Sequence, residues 1–600
     1  MSETFHFSPR PNRAHEIRWR PWGPQAFAEA QAQDRPILLS LSAVWCHWCH
    51  VMDETTYSTP AIIESINEHF VPIRVDNDRR PDINARYNMG GWPTTAFLMP
   101  GGETITGATY LAPQQMHQLL ERIVEFYREN APEIRRKMAE EPLRRLASSP
   151  QRSALSPEMV ERVLEAAGDL YDPEFGGFGT APKFPMTDVL ELLLDRWLCT
   201  RDARPRQMLE KTLHAMADGG MYDHVEGGWF RYSTDRAWQV PHFEKMAEDH
   251  AGLLRVCARF ARVTGDARLR DRVSAAIGWL TSTLYEPRSG LFGGSQDADE
   301  VYYAKGLEER RAMRAPYVDR TSYTNWTAAL AGALYEVAPL LDDAALAQRA
   351  TRALDVLWER MHDERLGLLY HYLAPPDGEP QTWGLLTDQA AMLRALLDAH
   401  AATGQIRMLE RAEQLADETV ARLCSEHGGF LDRAPDGEAL GFLALADRPL
   451  AENAAAADAL VRLAALADRP DLREVAERAL ALHAGAYERA GAFAAPFARA
   501  VARFVAPNKT VTLVTLDEGR ERAALELLGA AGELRLDDPL VEVRVLDAER
   551  DRGRLIRSGY AADERGAVAY VCIGTVCAEP ARTTEEIRSA YRTFFGAAGA

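Results

Sequence analysis

Six hundred residues exceed what one hydrophobic core supports, and a hydrophobic fraction of 46% beside 26% charged residues is that of ordinary folded protein. The formal net charge of −19 repels polyanions and no Lys/Arg cluster offsets it, which excludes nucleic-acid binding as a role. No apolar run is long enough to span a bilayer, and the polar stretch from Met1 to Trp22 lacks the features of a secretory signal, so the expectation is a cytoplasmic chain with no membrane partner.

Residues 36–44, PILLSLSAV, read as a buried strand that delivers the chain into WCHWCH, and VMDETTYSTPAIIESINEHF then has helical periodicity. FVPIRVD reads as a second strand, a polar segment follows, GGWPTTAFLMP and ETITGATYL read as a third and a fourth, and residues 113–139 look helical. This is the element order of an α/β thioredoxin fold. The stretch from Pro142 to Pro157, rich in Pro, Ser and Arg, reads as a linker.

Long Ala/Leu/Glu/Arg-rich helical patterns follow, punctuated by Gly-aromatic loops that end at Phe178, Phe230, Phe292, around Leu369, and at Phe430 and Phe493. Intervals of roughly 50 to 80 residues leave room for two helices each. Six helical hairpins closed into an all-α (α/α)6 toroid are expected. After Pro507 the strands KTVTLVTL, LVEVRVL and GAVAYVCIG, with a last helix near Thr584 to Phe595, describe a small α/β module. The chain thus divides into a thioredoxin-like domain over 1–145, a toroid over 155–505 and a C-terminal module over 506–600.

Seven cysteines are too few for a disulfide scaffold, and an odd number argues against structural bridges. Cys199, Cys257 and Cys424 sit in apolar helical surroundings and read as core residues. Cys46 follows a strand and opens a helix, where unpaired backbone N–H groups favour the thiolate, and a protonated His47 would add to that. Cys49, one turn on, is placed to resolve a mixed disulfide. Cys-His-Trp-Cys-His also matches a haem-attachment pattern, which requires export, and zinc would lack a second ligand pair, so no cofactor or metal is expected. Cys572 and Cys577, at a strand end, are open to a structural, a metal-binding or a relay-disulfide reading.

Trp92-Pro93-Thr94 falls at the start of the third strand, and Pro93 matches by resemblance the cis-proline that thioredoxins carry beside the dithiol. Trp45, Trp48, Trp92 and Pro93 are the candidates for a client-binding surface. Thioredoxins carry a buried Asp six residues before the first Cys. This chain has Ser40 there.

WCHWCHVMDE, GGFGTAPKFP, GGMYDHVEGGWFRYSTDRAWQVPHFEKM, SQDADE and AYVCIGTVC, in that order, resemble the spermatogenesis-associated protein 20 family and its bacterial YyaL-like members nearly end to end. The resemblance implies a thioredoxin-like domain fused to a six-hairpin toroid similar to N-acylglucosamine 2-epimerases and six-hairpin glycosidases. After HFEKM the family pattern is LYDNA, whereas this chain has Ala247, Glu248, Asp249, His250 and Ala251, retaining Asp249 but losing the Tyr and the Asn.

In the toroid, Tyr222, Asp223, Arg231, His242, Glu244, Lys245 and Asp249 mix acids, bases and aromatics within about thirty residues. His242 is the candidate general base and Glu244 or Asp249 the acid. Asp297 and Asp299 in SQDADE form a second acidic pair of the kind that glycoside hydrolysis or proton-transfer epimerisation uses. Lys183 and Asn325-Trp326 would add a cationic and an aromatic wall. Asp388 opens the LTDQAAMLRALL helix, where N-cap service is its plain reading.

The leading expectation is a thiol-disulfide oxidoreductase or redox-responsive protein in which Cys46 attacks a protein client and Cys49 resolves. Saccharide chemistry in the toroid, as a 2-epimerase or hydrolase, is the second reading. A non-catalytic client-binding scaffold is the third.

Overall fold

The computed structural model describes residues 5–145, 153–375, 378–435, 439–516 and 522–595. It divides into two compact units. One holds the first 150 residues with 296–300 and 432–447, and the other holds 151–295, 301–431 and 448–600.

In the first unit α1 (Pro24–Gln33) precedes β1 (Ile37–Ser42); α2 (His47–Glu54) and α3 (Pro60–His69) lead to β2 (Val71–Asp76); α4 (Pro81–Tyr87) precedes β3 (Thr94–Leu98) and β4 (Thr104–Ala108); α5 runs Pro113–Arg145. The sheet order is β2-β1-β3-β4, with β1 parallel to β2 and antiparallel to β3. This is a thioredoxin fold. Every residue of β1 is buried, because the central strand is covered on both faces. Ile37, Leu39 and Leu41 pack with Val71 and Ile73 on one side, while Leu38 joins Met52, Ile62, Ile66 and Leu120 on the other. The helix expected after the dithiol is broken in two, with Pro60 starting α3. The polar gap holds α4, and α5 carries helix through Pro142 to Arg145, into the segment expected as linker; residues 146–152 lie outside the described residues.

In the second unit α6 (Pro157–Leu170), α7 (Thr187–Thr200), α8 (Ala203–Asp218), α9 (Ala247–Thr264) and α10 (Ala267–Trp279) are followed by α11 (Thr324–Leu341), α12 (Ala344–Met361), α13 (Leu386–Thr403), α14 (Ile406–Leu423), α15 (Leu450–Ala467), α16 (Pro470–His483) and α17 (Ala495–Val505). The odd-numbered helices pack in sequence, α7 on α9, α11, α13, α15 and α17, and α17 closes on α7. The even-numbered helices each cover one of them from outside. This is the (α/α)6 toroid. An inner helix has neighbours all round, so α11 and α13 are buried on nearly every face rather than along one stripe.

The Gly-aromatic loops are one turn repeated. Asp172, Asp223 and Asp363 each accept two backbone N–H bonds through Oδ1 and a third on the main-chain carbonyl, from Gly176, Gly227 and Gly367. Ser425 replaces the Asp in a fourth copy. Gly177 has φ +77°, and a Cβ there would stand 2.4 Å from the Trp238 ring, so no side chain fits. The sixth loop differs: Phe493 lies in a short 3-10 helix and is 70% exposed.

The inner helices hold these turns. His250, Gln389 and Asn453, each the fourth residue of its helix, contact the carbonyl four residues earlier and accept the backbone N–H of Trp229, Leu369 and Phe430. Three residue types perform one task.

The C-terminal module contains β5 (Lys509–Thr515), α18 (Arg522–Asp537), β6 (Val541–Asp547), α19 (Arg552–Ser558), β7 (Val568–Ile573), β8 (Val576–Cys577) and α20 (Thr584–Phe595). Its sheet order is β6-β5-β7-β8, with β5 parallel to β6 and antiparallel to β7, and β7 antiparallel to β8. Strand for strand this repeats the sheet of the thioredoxin domain. The module packs on the toroid through Arg259, whose guanidinium donates to the Leu536 carbonyl, and through the Arg462–Glu542 ion pair at 2.9 Å.

Candidate functional site

Cys46 is the N-cap of α2 and Cys49 lies in its first turn, and the two are joined as a disulfide. The Cys49 N–H donates to Cys46 Sγ at 3.2 Å, and the Cys49 and His50 amides both reach the Cys46 carbonyl. A thiolate at Cys46 would meet the Cys49 N–H at the N-terminus of α2. The Trp92–Pro93 bond is cis. Trp45 donates to Asp78 Oδ2 at 2.6 Å and stands edge-on to Trp92 at 5.8 Å, while Trp48 rests on Tyr110 at 5.1 Å. Cys46 is only 3% exposed and Trp48 is 45% exposed, so the indole rather than the sulfur is the accessible part of the motif.

Ser40, on β1, is buried beside Tyr57, whose hydroxyl pairs with Thr95 Oγ1 at 3.0 Å. A hydroxyl network fills the place of the thioredoxin carboxylate. Burial pushes the Tyr57 phenol above its ordinary value. The charged groups are elsewhere: Arg74 makes a two-pronged pair with Asp53, and His50 Nδ1 lies 3.7 Å from Asp297 Oδ2. Burial, then His6 and Arg74, push His50 down to about 3, so its imidazole is neutral. Asp297 and Asp299, read from sequence alongside the toroid carboxylates, therefore sit in the unit that contains the dithiol.

In the toroid unit, His242 Nδ1 lies 2.9 Å from Glu244 Oε2, and the His242 ring stacks on Tyr232 at 4.8 Å, which stacks in turn on Phe184 at 4.7 Å. The Arg231 amide donates to the Glu244 carbonyl. Asp249, in the first turn of α9, has an Oδ2 that accepts no hydrogen bond. Burial pushes its carboxyl up to about 7, with Arg231 opposing and Glu248 and Glu244 adding to the rise. Glu248 and Asp188, which sequence reasoning passed over, are raised in the same direction, and both side chains are solvent-exposed. Both are the second residue of an inner helix, a position that the ring periodicity could have marked.

The other candidates are held by structural partners. Lys183 is fully buried and spends all three donors on Asp172 and the carbonyls of Gly176 and Arg236. Lys245 is equally buried, donating to Asp223 and Gly227 O, with the rings of Phe230, Trp279 and Tyr303 around it; burial brings it down to about 8. Asp223 also takes Arg310, and Tyr222 donates to the Arg272 carbonyl. Trp326 packs on Tyr323 at 4.5 Å. Asp388 is the third residue of α13, and the N-cap is Leu385, so it does not cap that helix; it accepts from the Asn325 amide and contacts His371 at 2.9 Å.

Cys572 and Cys577 are bonded to each other, so of the readings left open for this pair the structure shows a disulfide. Cys257 is buried as expected, Cys424 is partly so, and Cys199 is exposed in the last turn of α7. Among the described residues no group of three or more His, Cys, Asp or Glu is placed to hold a metal ion, and no helix is long and apolar enough to cross a membrane.

Residues 10–146 match the family model described as Thioredox_DsbH, protein of unknown function, DUF255. Over 307 residues, 47% of the chain, the sequence is 36% identical to spermatogenesis-associated protein 20 of Mus musculus and 34% identical to that of Homo sapiens. The chain is similar to spermatogenesis-associated protein 20. The match spans 39% of the length of those relatives. A 97-residue stretch is 27% identical to the thiol:disulfide interchange protein DsbD of Campylobacter jejuni, covering 16% of the chain and 17% of that protein. Among solved structures, a sugar epimerase from a ruminal bacterium aligns with 54% of this chain and 85% of its own at 13% identity and a TM-score of 0.44.

Proposed function

We propose that the chain is a thiol-disulfide oxidoreductase in which Cys46 attacks a client disulfide and Cys49 resolves the mixed disulfide. The observation that supports it most is Cys46 at the N-terminus of α2, bonded to Cys49 one turn on. The reduced dithiol gives two electrons and two protons to the client, whose disulfide becomes two thiols, and Cys46 and Cys49 become the disulfide. Trp48 and Trp92 would form the surface on which the client rests. In the test, Cys49→Ser accumulates a mixed disulfide with client proteins and Cys46→Ser does not, and both lose insulin reduction. Trapping and turnover unchanged in both variants would sink the reading. Client capture that survives replacement of both cysteines would turn it into a scaffold.

A second reading is favoured by Asp249. A carboxyl near 7 beside a His242–Glu244 pair is poised to give or take a proton at neutral pH, and the Tyr232–Phe184 stack offers a face for a saccharide ring. It predicts a saccharide-induced thermal shift that His242→Ala abolishes. No shift across a broad sugar panel would count against it.

A further inference from the structure

We propose that Cys572–Cys577 is a second redox-active disulfide, reduced by a dithiol that attacks at Cys577. The thioredoxin strand order recurs in the C-terminal module, but the cysteines stand on its third and fourth strands rather than at the start of its first helix. They are direct partners across the β7–β8 ladder.

The bond is poorly placed for stabilisation. Its sequence separation is 5, and cross-linking a short loop removes the least entropy from the unfolded chain. The hairpin is also already closed by the Ile573–Val576 pairing. Thiol–disulfide exchange, by contrast, needs one reachable sulfur and one sulfur that leaves well, and the two cysteines divide those roles. Cys572 is fully buried among Val514, Leu546, Leu555 and Val568. Cys577 is partly exposed on a two-residue edge strand beside Val576, which is 62% exposed. The Tyr560 hydroxyl lies 3.6 Å from Cys572 Sγ, placed to donate a hydrogen bond to the thiolate that forms there. The Tyr560 ring is held against Tyr570 at 4.7 Å, with Arg544 over it at 5.7 Å.

The exchange balances in two steps. A thiolate of the dithiol attacks Cys577 Sγ, the Cys572–Cys577 bond breaks, and Cys572 leaves as a thiolate that takes up a proton. The second thiol of the reductant loses its proton and attacks its own sulfur in the mixed disulfide, releasing Cys577 as a thiolate that is protonated in turn. Two electrons and two protons pass to the chain, and the dithiol becomes a disulfide.

The experiment equilibrates the full chain in buffers of reduced and oxidised dithiothreitol, quenches with a maleimide, and counts labels on the peptide that contains 572–577. Peptide resolution separates this pair from Cys46–Cys49 without any substitution. The expected result is a reversible transition from no labels to two while circular dichroism stays native. That transition persists in the Cys46→Ser/Cys49→Ser protein, so it is independent of the function proposed for that pair. Tyr560→Phe keeps the ring packing and is expected to slow reduction several-fold at unchanged thermal midpoint, which a purely structural hydroxyl would not do. A pair that labels only once the protein unfolds, or that stays as two thiols in fully oxidised buffer, overturns the proposal. So does a Tyr560→Phe rate equal to wild type.

Discussion

Two groups of charged residues inside the toroid have opposite electrostatic character. At the N-terminal turns of α7 and α9, Asp188, Glu248 and Asp249 are all pushed above their ordinary values, burial being the largest cause in each. Further along the inner helices Glu191 and Asp398 are buried and Asp458 is half-buried, deeper than Asp188 and Glu248, yet arginines hold all three below. Arg255 reaches Glu336 at 2.6 Å and Asp398 at 3.1 Å; Arg462 joins Asp398 to Glu542, both at 2.9 Å; Arg503 pairs with Asp458 at 2.7 Å; Arg499 pairs with Glu191 and Asp195. The module residues Arg535 and Glu542 complete this second network. Burial costs a carboxylate in both places, and the supply of cations decides the sign. A saturated network fastens the C-terminal module to the ring, while an undersupplied one keeps a protonatable group at neutral pH.

The largest effect is expected from breaking the saturated network. Asp398→Ala leaves Arg255 and Arg462 short of a carboxylate in the interior and is expected to cost about 3–5 kcal/mol, read as a lowered thermal or denaturant midpoint. A change below about 1 kcal/mol would mean that the network is solvated and the contrast between the two groups is false.

Asp249→Asn tests the other side. Its folded carboxyl titrates at about 7 instead of 3.8, so between those values the folded chain holds a proton that the unfolded chain has lost. Stability therefore falls as pH rises through that window. The Asn variant is expected to match the parent below 3.8 and to melt at a higher temperature above 7. Variant and parent midpoints that run parallel over the whole range would contradict the raised value.

The smallest effect is expected at His250, which lies next to Asp249 but belongs to the turn-holding set. Gln389 performs the same task on α13, so His250→Gln should cost about 1 kcal/mol or less at neutral pH. Burial pushes His250 from 6.5 down to about 3, and so the unfolded chain takes up a proton below 6.5 that the folded chain refuses. The acid loss of stability should accordingly be shallower in the Gln variant, by melts taken from neutral to acidic pH. A loss as large as that of Asp398→Ala would show that the three positions are not equivalent.

Much of this architecture is legible in the order of residues because its causes are local. Alternating strand and helix patterns and the recurring Gly-aromatic turns announce a thioredoxin domain, six hairpins and a terminal α/β module. The Cys-x-x-Cys spacing places both sulfurs on one turn. What the sequence could not announce is which charge meets which. Lys183 and Lys245 read as pocket cations until the turns of Asp172 and Asp223 close around them. Asp297 reads as a toroid carboxylate until it is found 3.7 Å from His50. The arginines of α9, α15 and α17 look like a solvated face on any helical wheel, because periodicity does not reveal that an inner helix has no outside. Ring closure brings such residues together from distant hairpins, and only there do their partners, their pKa directions and their roles take shape. The strand order of the C-terminal sheet is decided the same way. Its strands are visible in the sequence, but the pairing that sets Cys572 opposite Cys577 is a tertiary fact.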